Sequence, residues 1–242
     1  MDDIAIYTTG SFQEHLEALH NVHLVLSREN FKINKSKCTF AATEVDYLGH
    51  TITTSGIRSQ IRKISTIFNL EEPTNVKQLQ SFIGLTKYYR DFIPQRSHVL
   101  APLTSLTSPK IPFRWSKTCR TAIKNLQLVL AKSTLLAYPN LRLLFIIEPD
   151  VSDYQLGSFV IQRPSLSSVD NIIKIFLTSS TPTAPQGFQP IAFFSRKLAA
   201  AQRNDTTLEK ELLSIVETLV EYRTILYGNK VFYAINVETE VQ

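Results

Sequence analysis

The order of secondary-structure elements predicted after residue 142 constrains the fold of this chain more than any other feature. Runs rich in β-branched and aromatic residues predict strands over Arg142–Glu148, Gln155–Gln162 and Pro190–Ser195. The pattern then predicts a long helix over Thr206–Leu226 and a last strand over Lys230–Asn236. Three strands, a helix and a strand can bury a core of their own. We therefore predict a separate α/β domain that begins near residues 138–140.

Residues 163–189 interrupt this domain with a different composition. Serines, threonines and prolines, among them Pro164, Pro182 and Pro185, fill the stretch and leave few apolar side chains to anchor it. Such a composition is typical of surface loops. We predict a surface insertion that proteases cut early.

The preceding residues predict a short mixed region followed by a helical one. A capping-box pattern at Ser11 and Glu14 opens a helix, and strands are predicted over Phe31–Ile33 and Val45–Ile52. Ser55–Gly56 marks a turn. Helical patterns follow over residues 59–69, 74–90 and 116–133.

Charge is unevenly distributed along the chain, whose net charge is +5. Between Phe92 and Ile147 there are eight basic residues and no carboxylate. A stretch of one sign in the middle of a balanced chain favours contact with a polyanion, and a solvated basic helix face is the alternative. We name this stretch the basic belt: Arg96, Lys110, Arg114, Lys117, Arg120, Lys124, Lys132 and Arg142.

Cysteine usage and hydropathy indicate the cellular compartment in which the chain is expected. Cys38 and Cys119 lie far apart without a CxxC spacing, so we expect buried reduced thiols and an intracellular protein, cytoplasmic or nuclear. The longest purely apolar run, Leu143–Ile147, is too short to span a bilayer, and we expect no membrane partner.

Two adjacent carboxylates, Asp2 and Asp3, head an apolar run at the start of the sequence. At a tight turn both can reach one metal site, where two divalent ions clamp the attacking and leaving oxygens of a phosphoryl transfer. Solvated surface acids are the alternative.

Several motifs, in order along the chain, resemble the Pol polyprotein of Ty3/gypsy-type retrotransposons. Met1–Ile4 resembles the Asp-Asp box of reverse transcriptases, and Leu48–His50 with Ser55–Ile57 resembles their primer-grip hairpin. Similar segments of the thumb and connection are Pro73–Asn75, Ser81–Leu85, Tyr88–Pro94 and the stretch from Trp115 to Leu126. Similar segments of the RNase H domain are Asp150–Tyr154, Phe194–Leu198, Glu209–Val216 and Leu226–Gly228.

The resemblance implies an α+β or α/β protein in three parts. A partial reverse transcriptase palm with the primer-grip hairpin covers residues 1–57, and a helical thumb and connection covers 58–138. An RNase H-like mixed sheet with helices covers 139–242. The implied parent chemistry is RNA-directed DNA synthesis and cleavage of the RNA strand of a hybrid, both dependent on Mg²⁺. The implied partners are an RNA/DNA hybrid or duplex and the remainder of a Pol polyprotein.

The resemblance also assigns the catalytic and metal-binding acids. Asp2 and Asp3 fall on the polymerase carboxylates, and Asp150 and Glu211 fall on those of the RNase H site. The family's next acid falls on Asn236, a neutral residue, which leaves that site degenerate. The chain begins at the Asp-Asp box and its last expected acid lies beyond Gln242, so we expect a truncated protein that is inactive on its own, cutting a hybrid poorly or not at all.

The remaining assignments concern packing and nucleic acid. On the long helix we expect Leu208, Leu212, Ile215 and Leu219 to face the core, with Glu209, Glu217 and Glu221 solvated. Tyr88 and Tyr89 stack on nucleic acid or lie in the core. The predicted nucleic-acid contacts are Gly49, His50, Arg58, Lys63, Lys87, Arg90, Lys117, Arg120 and Lys124, together with Lys35, Lys37 and Arg62.

Three hypotheses follow from the sequence. The chain is a segment of a retrotransposon polymerase and RNase H, or a catalytically inactive remnant that binds nucleic acid, or a protein retained for interaction or structure alone. Cleavage of an RNA/DNA hybrid separates the first from the second, and binding of the hybrid separates both from the third.

Overall fold

The structure is a computed structural model that describes residues 3–60, 62, 65, 67, 69, 71–131, 135–163 and 187–234. It divides into two compact units, Met1–Thr54 and Ser55–Gln242. Asp2, Lys63 and Asn236 lie outside the described residues, as do five of the eleven residues of the predicted helix over 59–69 and most of the predicted insertion.

The first unit contains a helix and a hairpin. Helix α1 spans Phe12–Arg28 and begins with the predicted capping box, in which Ser11 and Glu14 bond to each other's backbone amides. None of its residues, all of which the structure describes, is buried. Strands β1 (Glu44–Tyr47) and β2 (His50–Thr53) pair antiparallel.

Two strand predictions in this unit are wrong. Residues 31–33 have irregular backbone, and the expected strand over 45–52 is a hairpin that turns at Leu48 and Gly49. Both turn residues have positive φ, 44° and 78°. That geometry belongs to the tight turns whose twist matches a hairpin, so the chain reverses where the sequence pattern suggests continuity.

The second unit begins with strand β3 (Ile57–Ser59), in which Ile57 forms an isolated bridge with Leu136. Three helices that the structure describes from end to end follow it. Helix α2 spans Val76–Tyr88, α3 spans Arg96–Ser105 and α4 spans Lys117–Ala131. The predictions confirmed here are α2 and α4. The helix that the sequence did not predict is α3, which contains Pro102 and carries no marked apolar stripe. The buried core of these helices includes Leu79, Phe82, Tyr89, Ile93, Leu100, Leu103 and Leu126.

A four-stranded sheet follows in the same unit. Its strands are β4 (Phe145–Pro149), β5 (Gln155–Gln162), β6 (Gln189–Lys197) and β7 (Val231–Tyr233). Their order is β6-β5-β4-β7, with β7 parallel to β4 and the other pairs antiparallel. The predicted order of three strands, a helix and a strand along the chain is thus confirmed, and so is the predicted mixed sheet.

The predicted long helix is two helices, α5 (Thr207–Glu221) and α6 (Arg223–Leu226), which meet at Tyr222. The predicted core face of α5 is half wrong, since Ile215 is buried and Leu219 is partly buried, but Leu208 and Leu212 are exposed. The helix packs on the sheet with a largely polar face. The hydroxyl of Ser214 donates to the carbonyl of Gly157 at 2.6 Å, and the hydroxyls of Thr218 and Ser158 lie 2.6 Å apart. Because these groups are satisfied by hydrogen bonds, they can be buried at little cost.

The helices share a core with part of the sheet, and a second core joins the sheet to α5 and α6. Phe193 of β6 is buried among the side chains of the helical core, and Phe159 of β5 packs against both. The two rings meet edge to face with centroids 5.5 Å apart. The described part of Ser55–Gln242 is therefore one packed body, in which the sheet closes the core of the helices.

Candidate active site and nucleic-acid surface

Asp150 lies directly after the last residue of β4. Its backbone amide donates to the carbonyl oxygen of Gly157 on β5 at 2.7 Å, which continues the β4–β5 ladder by one residue. Its carboxylate accepts a hydrogen bond from the side-chain amide of Gln95, with 2.7 Å between Gln95 Nε2 and Asp150 Oδ2. The sheet fixes the backbone of Asp150, and a residue of the helical segment holds its side chain.

Glu211 lies in the first half of α5 and is only 7% exposed. One turn further along, the hydroxyl of Ser214 donates to the same Gly157 carbonyl oxygen that accepts from Asp150. A single acceptor on β5 thus fixes both the residue after β4 and the helix that carries Glu211. This arrangement brings the elements of the two predicted acids against one strand.

Gly157 must be small for this arrangement to exist. A Cβ atom at this position would lie 2.6 Å from the carbonyl oxygen of Asp150, closer than real Cβ contacts. The only sign of this close approach in the sequence is the spacing between Asp150 and Gly157. That spacing can be interpreted only after the pairing of β4 with β5 is known.

A second carboxylate, Glu148, lies two residues before Asp150 on β4. Burial raises the pKa of the Glu148 carboxyl, and the negative charge of Asp150 raises it further. Its Oε2 atom is buried and has no hydrogen-bond partner among the described residues. Asp150 therefore has an acidic neighbour that the sequence prediction did not include.

Each of the two candidate metal sites has a residue outside the described ranges, Asp2 in the polymerase site and Asn236 in the RNase H site. Within the described ranges, no group of three or more His, Cys, Asp or Glu side chains could hold a metal ion. Asp3 is exposed, and its carbonyl oxygen lies 3.4 Å from the hydroxyl of Tyr47. The described side chains alone therefore do not form a Mg²⁺ site.

The candidate nucleic-acid contacts fall into two groups. Gly49 is buried at the β1–β2 turn, His50 opens β2, and Arg58 is half-buried on β3. Lys87, Lys117 and Lys124 are exposed, and so are Lys35 and Lys37, which lie in a short 3₁₀ turn. Whether these side chains bind nucleic acid stays a prediction.

Two of the predicted basic contacts already have acidic partners. Arg120 Nε lies 2.9 and 3.0 Å from the two carboxylate oxygens of Glu72, a residue outside the basic belt. That hydrogen bond lowers the pKa of Glu72. Arg90 pairs with Glu221 of α5 and with Asp91. The belt is free of carboxylates in the sequence, but folding places a carboxylate beside it.

Further contacts join the helical segment to the sheet and to α5. The hydroxyl of Tyr222 lies 2.8 Å from Asp91 Oδ1 and 3.0 Å from the carbonyl oxygen of Phe193. Burial and the neighbouring Asp91 raise the pKa of Tyr222. Of the tyrosine pair, Tyr89 is buried in the helical core and Tyr88 is exposed. Glu217 pairs with Arg196, so the expectation that Glu217 and Glu221 are merely solvated is wrong.

Cys119 is buried and Cys38 is half-buried, and both are free thiols. None of the helices in the described part of the chain is long and apolar enough to cross a membrane.

Comparison with known proteins finds two family models that match parts of this chain. Residues 140–239 match the RNase H-like domain found in reverse transcriptase, and residues 1–52 match the reverse transcriptase (RNA-dependent DNA polymerase) family. The four-stranded sheet, α5 and both RNase H candidates lie in the first match. The β1–β2 hairpin lies almost wholly in the second.

Two curated relatives cover most of the chain. A retrovirus-related Pol polyprotein from transposon opus of Drosophila melanogaster is 30% identical over an alignment of 239 positions that covers 94% of this chain and 22% of that protein. The transposon Tf2-3 polyprotein of Schizosaccharomyces pombe is 27% identical over 93% of this chain and 16% of its own length. The chain thus spans about a fifth of the curated relatives that it matches.

A solved structure gives the same fold. The foamy viral protease-reverse transcriptase in complex with an RNA/DNA hybrid aligns with a TM-score of 0.76 and 21% identity, covering 94% of this chain and 28% of that one. Another structure of the foamy viral protein, in complex with double-stranded DNA, aligns with a TM-score of 0.74.

Proposed function

We propose that the chain acts on RNA/DNA hybrids, because residues 1–52 match the reverse transcriptase family and residues 140–239 match the RNase H-like domain found in reverse transcriptase. The relatives are retrotransposon Pol polyproteins. In the proposal, the RNase H-like domain binds the hybrid and promotes cleavage of its RNA strand. The free thiols of Cys38 and Cys119 support an intracellular setting for this reaction.

The observation that carries the proposal is the shared acceptor on β5. The carbonyl oxygen of Gly157 binds Asp150 on one side and Ser214 on the other, one turn from Glu211. Two carboxylates on rigid elements of a sheet and a helix are held in place more accurately than carboxylates on loops. They supply hard oxygen ligands of the kind that Mg²⁺ takes in phosphoryl-transfer enzymes. Bound there, such an ion would stabilise the charge that develops on the phosphoryl oxygens.

The roles of the side chains follow from their chemistry. In the proposal Asp150 and Glu211 would hold a divalent ion beside the scissile phosphate, and the belt lysines hold the hybrid through its phosphates. Asn236 replaces a carboxylate by a neutral amide, and this lowers the charge available to hold divalent ions. We therefore expect cleavage by the unaltered chain to be slow.

The neutral residue at 236 also favours a second candidate function, an inert module that binds hybrids. The two functions make different predictions for one experiment. Purified chain is incubated with a labelled RNA/DNA hybrid and Mg²⁺, and both binding and RNA cleavage are measured. Slow cleavage that disappears in Asp150→Asn supports the first function, and binding with no cleavage at all supports the second.

The matched control is Asp153→Asn. Asp153 lies three residues from Asp150, is exposed and pairs at 3.2 Å with Lys210, whose side chain is buried. Asparagine removes the same charge and leaves the β4–β5 ladder untouched, and its side-chain oxygen can still accept from Lys210. We expect this variant to cleave like the unaltered chain. Equal loss in both variants would show that only the general charge of this edge matters, and the assignment of Asp150 would be wrong.

A further inference from the structure

We infer that Gln95 is a positioning residue for the Asp150 carboxylate. This inference rests on the proposed function, because it gives Gln95 a task only if Asp150 acts on the hybrid. Gln95 lies immediately before α3, in the helical segment and outside the matched range 140–239. It would therefore make the RNase H-like site dependent on a residue of the neighbouring segment.

The first observation is the hydrogen bond itself. Gln95 Nε2 donates to Asp150 Oδ2 at 2.7 Å. An amide has a fixed planar donor, so the bond selects one rotation of the carboxylate and leaves the second oxygen, Oδ1, available. Carboxylates at phosphoryl-transfer sites are commonly held in this way by a group that does not itself touch the substrate.

The second observation is the backbone of Gln95. Its φ and ψ are 48° and 34°, in the left-handed region that residues with a Cβ atom rarely occupy. Residues stay in such a conformation only where the surrounding structure holds them there, and they cluster at functional sites. Here the conformation directs the side chain towards Asp150.

The third observation is the anchoring of the next turn. The backbone amide of Ser97 donates to the hydroxyl of Ser195 on β6 at 2.9 Å, and that hydroxyl lies 3.4 Å from the side-chain oxygen of Gln155 on β5. The start of α3 is thus fixed to the same sheet that carries Asp150. Gln95 is consequently anchored next to the strand that precedes the carboxylate.

Because Gln95 is exposed, its effect on the orientation of the Asp150 carboxylate can be tested separately from its effect on the stability of the fold. Its side chain is exposed, so water can replace either partner when the bond is lost, and the bond contributes little to the free energy of folding. Gln95→Gly exploits this difference, since glycine suits the left-handed backbone while removing the amide. A purely structural role predicts that Gln95→Gly is neutral or beneficial in every assay, whereas a positioning role predicts a selective loss of cleavage.

The test uses the full chain carrying Asn236→Asp, in which the proposed function predicts readily measured cleavage. Adding Gln95→Gly should lower the rate of hybrid cleavage by about ten-fold or more, as loss of such supporting bonds typically does. Hybrid binding and the unfolding midpoint should not fall. The control is Ser97→Ala, which keeps the backbone bond to Ser195 and should cleave like its parent.

A readout independent of activity completes the test. In ¹⁵N-labelled protein, the side-chain amide resonances of Gln95 should shift when Asp150→Ala is introduced. Resonances that do not respond, or a Gln95→Gly variant that cleaves at the parent rate, would overturn the inference and leave the proposed function intact. Failure of the Asn236→Asp parent to cleave would overturn the proposed function, and the role of Gln95 would fall with it.

Discussion

At the scale of single residues, the packing around Gly157 decides where Asp150 lies. The carbonyl oxygen of Gly157 accepts hydrogen bonds from Asp150 and Ser214, and the absence of a side chain at Gly157 lets the Asp150 carbonyl approach. The position therefore requires glycine for a steric reason, although its φ is not in the left-handed region.

We predict that Gly157→Ala destabilises the protein by about 1–3 kcal/mol, the usual cost of overpacking, and lowers hybrid cleavage because Asp150 must move. Chemical denaturation and the cleavage assay measure the two effects. The control is Gly84→Ala on α2, where a Cβ atom meets nothing within 4 Å. Alanine is the better helix former there and should stabilise by about 0.5–1 kcal/mol. Similar effects of the two substitutions would contradict the close approach at Gly157.

The sequence allowed some of these residues to be found and concealed others. Asp150 and Glu211 could be assigned because they belong to recognisable motifs in a predicted strand–helix order. Gln95 could not, since a glutamine carries no signal of a left-handed backbone and its partner lies 55 residues away. Long-range contacts of this kind depend on tertiary packing, which local propensity does not encode.

At the scale of elements, α5 shows most clearly where pattern reasoning fails. Apolar periodicity indicates which helix face can be buried, but here the buried face is held by the hydroxyls of Ser214 and Thr218 as well as by Ile215. The exposed face carries Leu208, Leu212 and Val216. A sequence pattern cannot show that the sheet offers a carbonyl acceptor for the Ser214 hydroxyl and a hydroxyl partner, Ser158, for Thr218. The Leu48–Gly49 turn follows from the resemblance to the primer-grip hairpin but not from the strand pattern, because leucine is not a usual residue at positive φ.

Helix α4 carries the part of the basic belt that we expect to contact phosphates. Lys117 and Lys124 are exposed about two turns apart, and Arg120 lies between them but is paired with Glu72. Unpaired cations that neutralise phosphates release counterions, so they set both the affinity and its dependence on salt.

We therefore predict that Lys117→Glu with Lys124→Glu weakens hybrid binding and reduces the steepness of its salt dependence, by about 0.9 per lost phosphate contact. Glu72→Gln should strengthen binding, since it frees Arg120. Fluorescence anisotropy at several salt concentrations measures both effects. Lys77→Glu on the exposed side of α2 is the control and should bind like the unaltered chain. Affinity that ignores all of these changes would mean that the belt is a solvated surface.

At the scale of the whole molecule, the described part of Ser55–Gln242 joins helices and an RNase H-like sheet in one body. Phe193 and Phe159 of the sheet pack into the helical core. In addition, Arg90 contacts α5, Asp91 contacts Tyr222, and Gln95 contacts Asp150. The matched RNase H-like range begins at residue 140, so these contacts cross from one predicted part of the chain to another. The predicted boundaries at 57/58 and 138/139 stay predictions. What folding adds is a dependence of the candidate site on the helices that precede it.

The central claim is that Asp150 and Glu211 form the acidic part of a hybrid-cleaving site that Asn236 weakens. The most direct measurement is the initial rate of Mg²⁺-dependent RNA cleavage in a labelled RNA/DNA hybrid, compared between the unaltered chain and Asn236→Asp, with Asn236→Ala as the control. We predict slow cleavage by the unaltered chain and a rate at least about ten-fold higher with aspartate, because the added charge holds divalent ions more tightly. Alanine should give no gain, and Asp150→Asn should abolish the gain from aspartate. Equal rates for all the variants at position 236, or a gain that survives Asp150→Asn, would contradict the account.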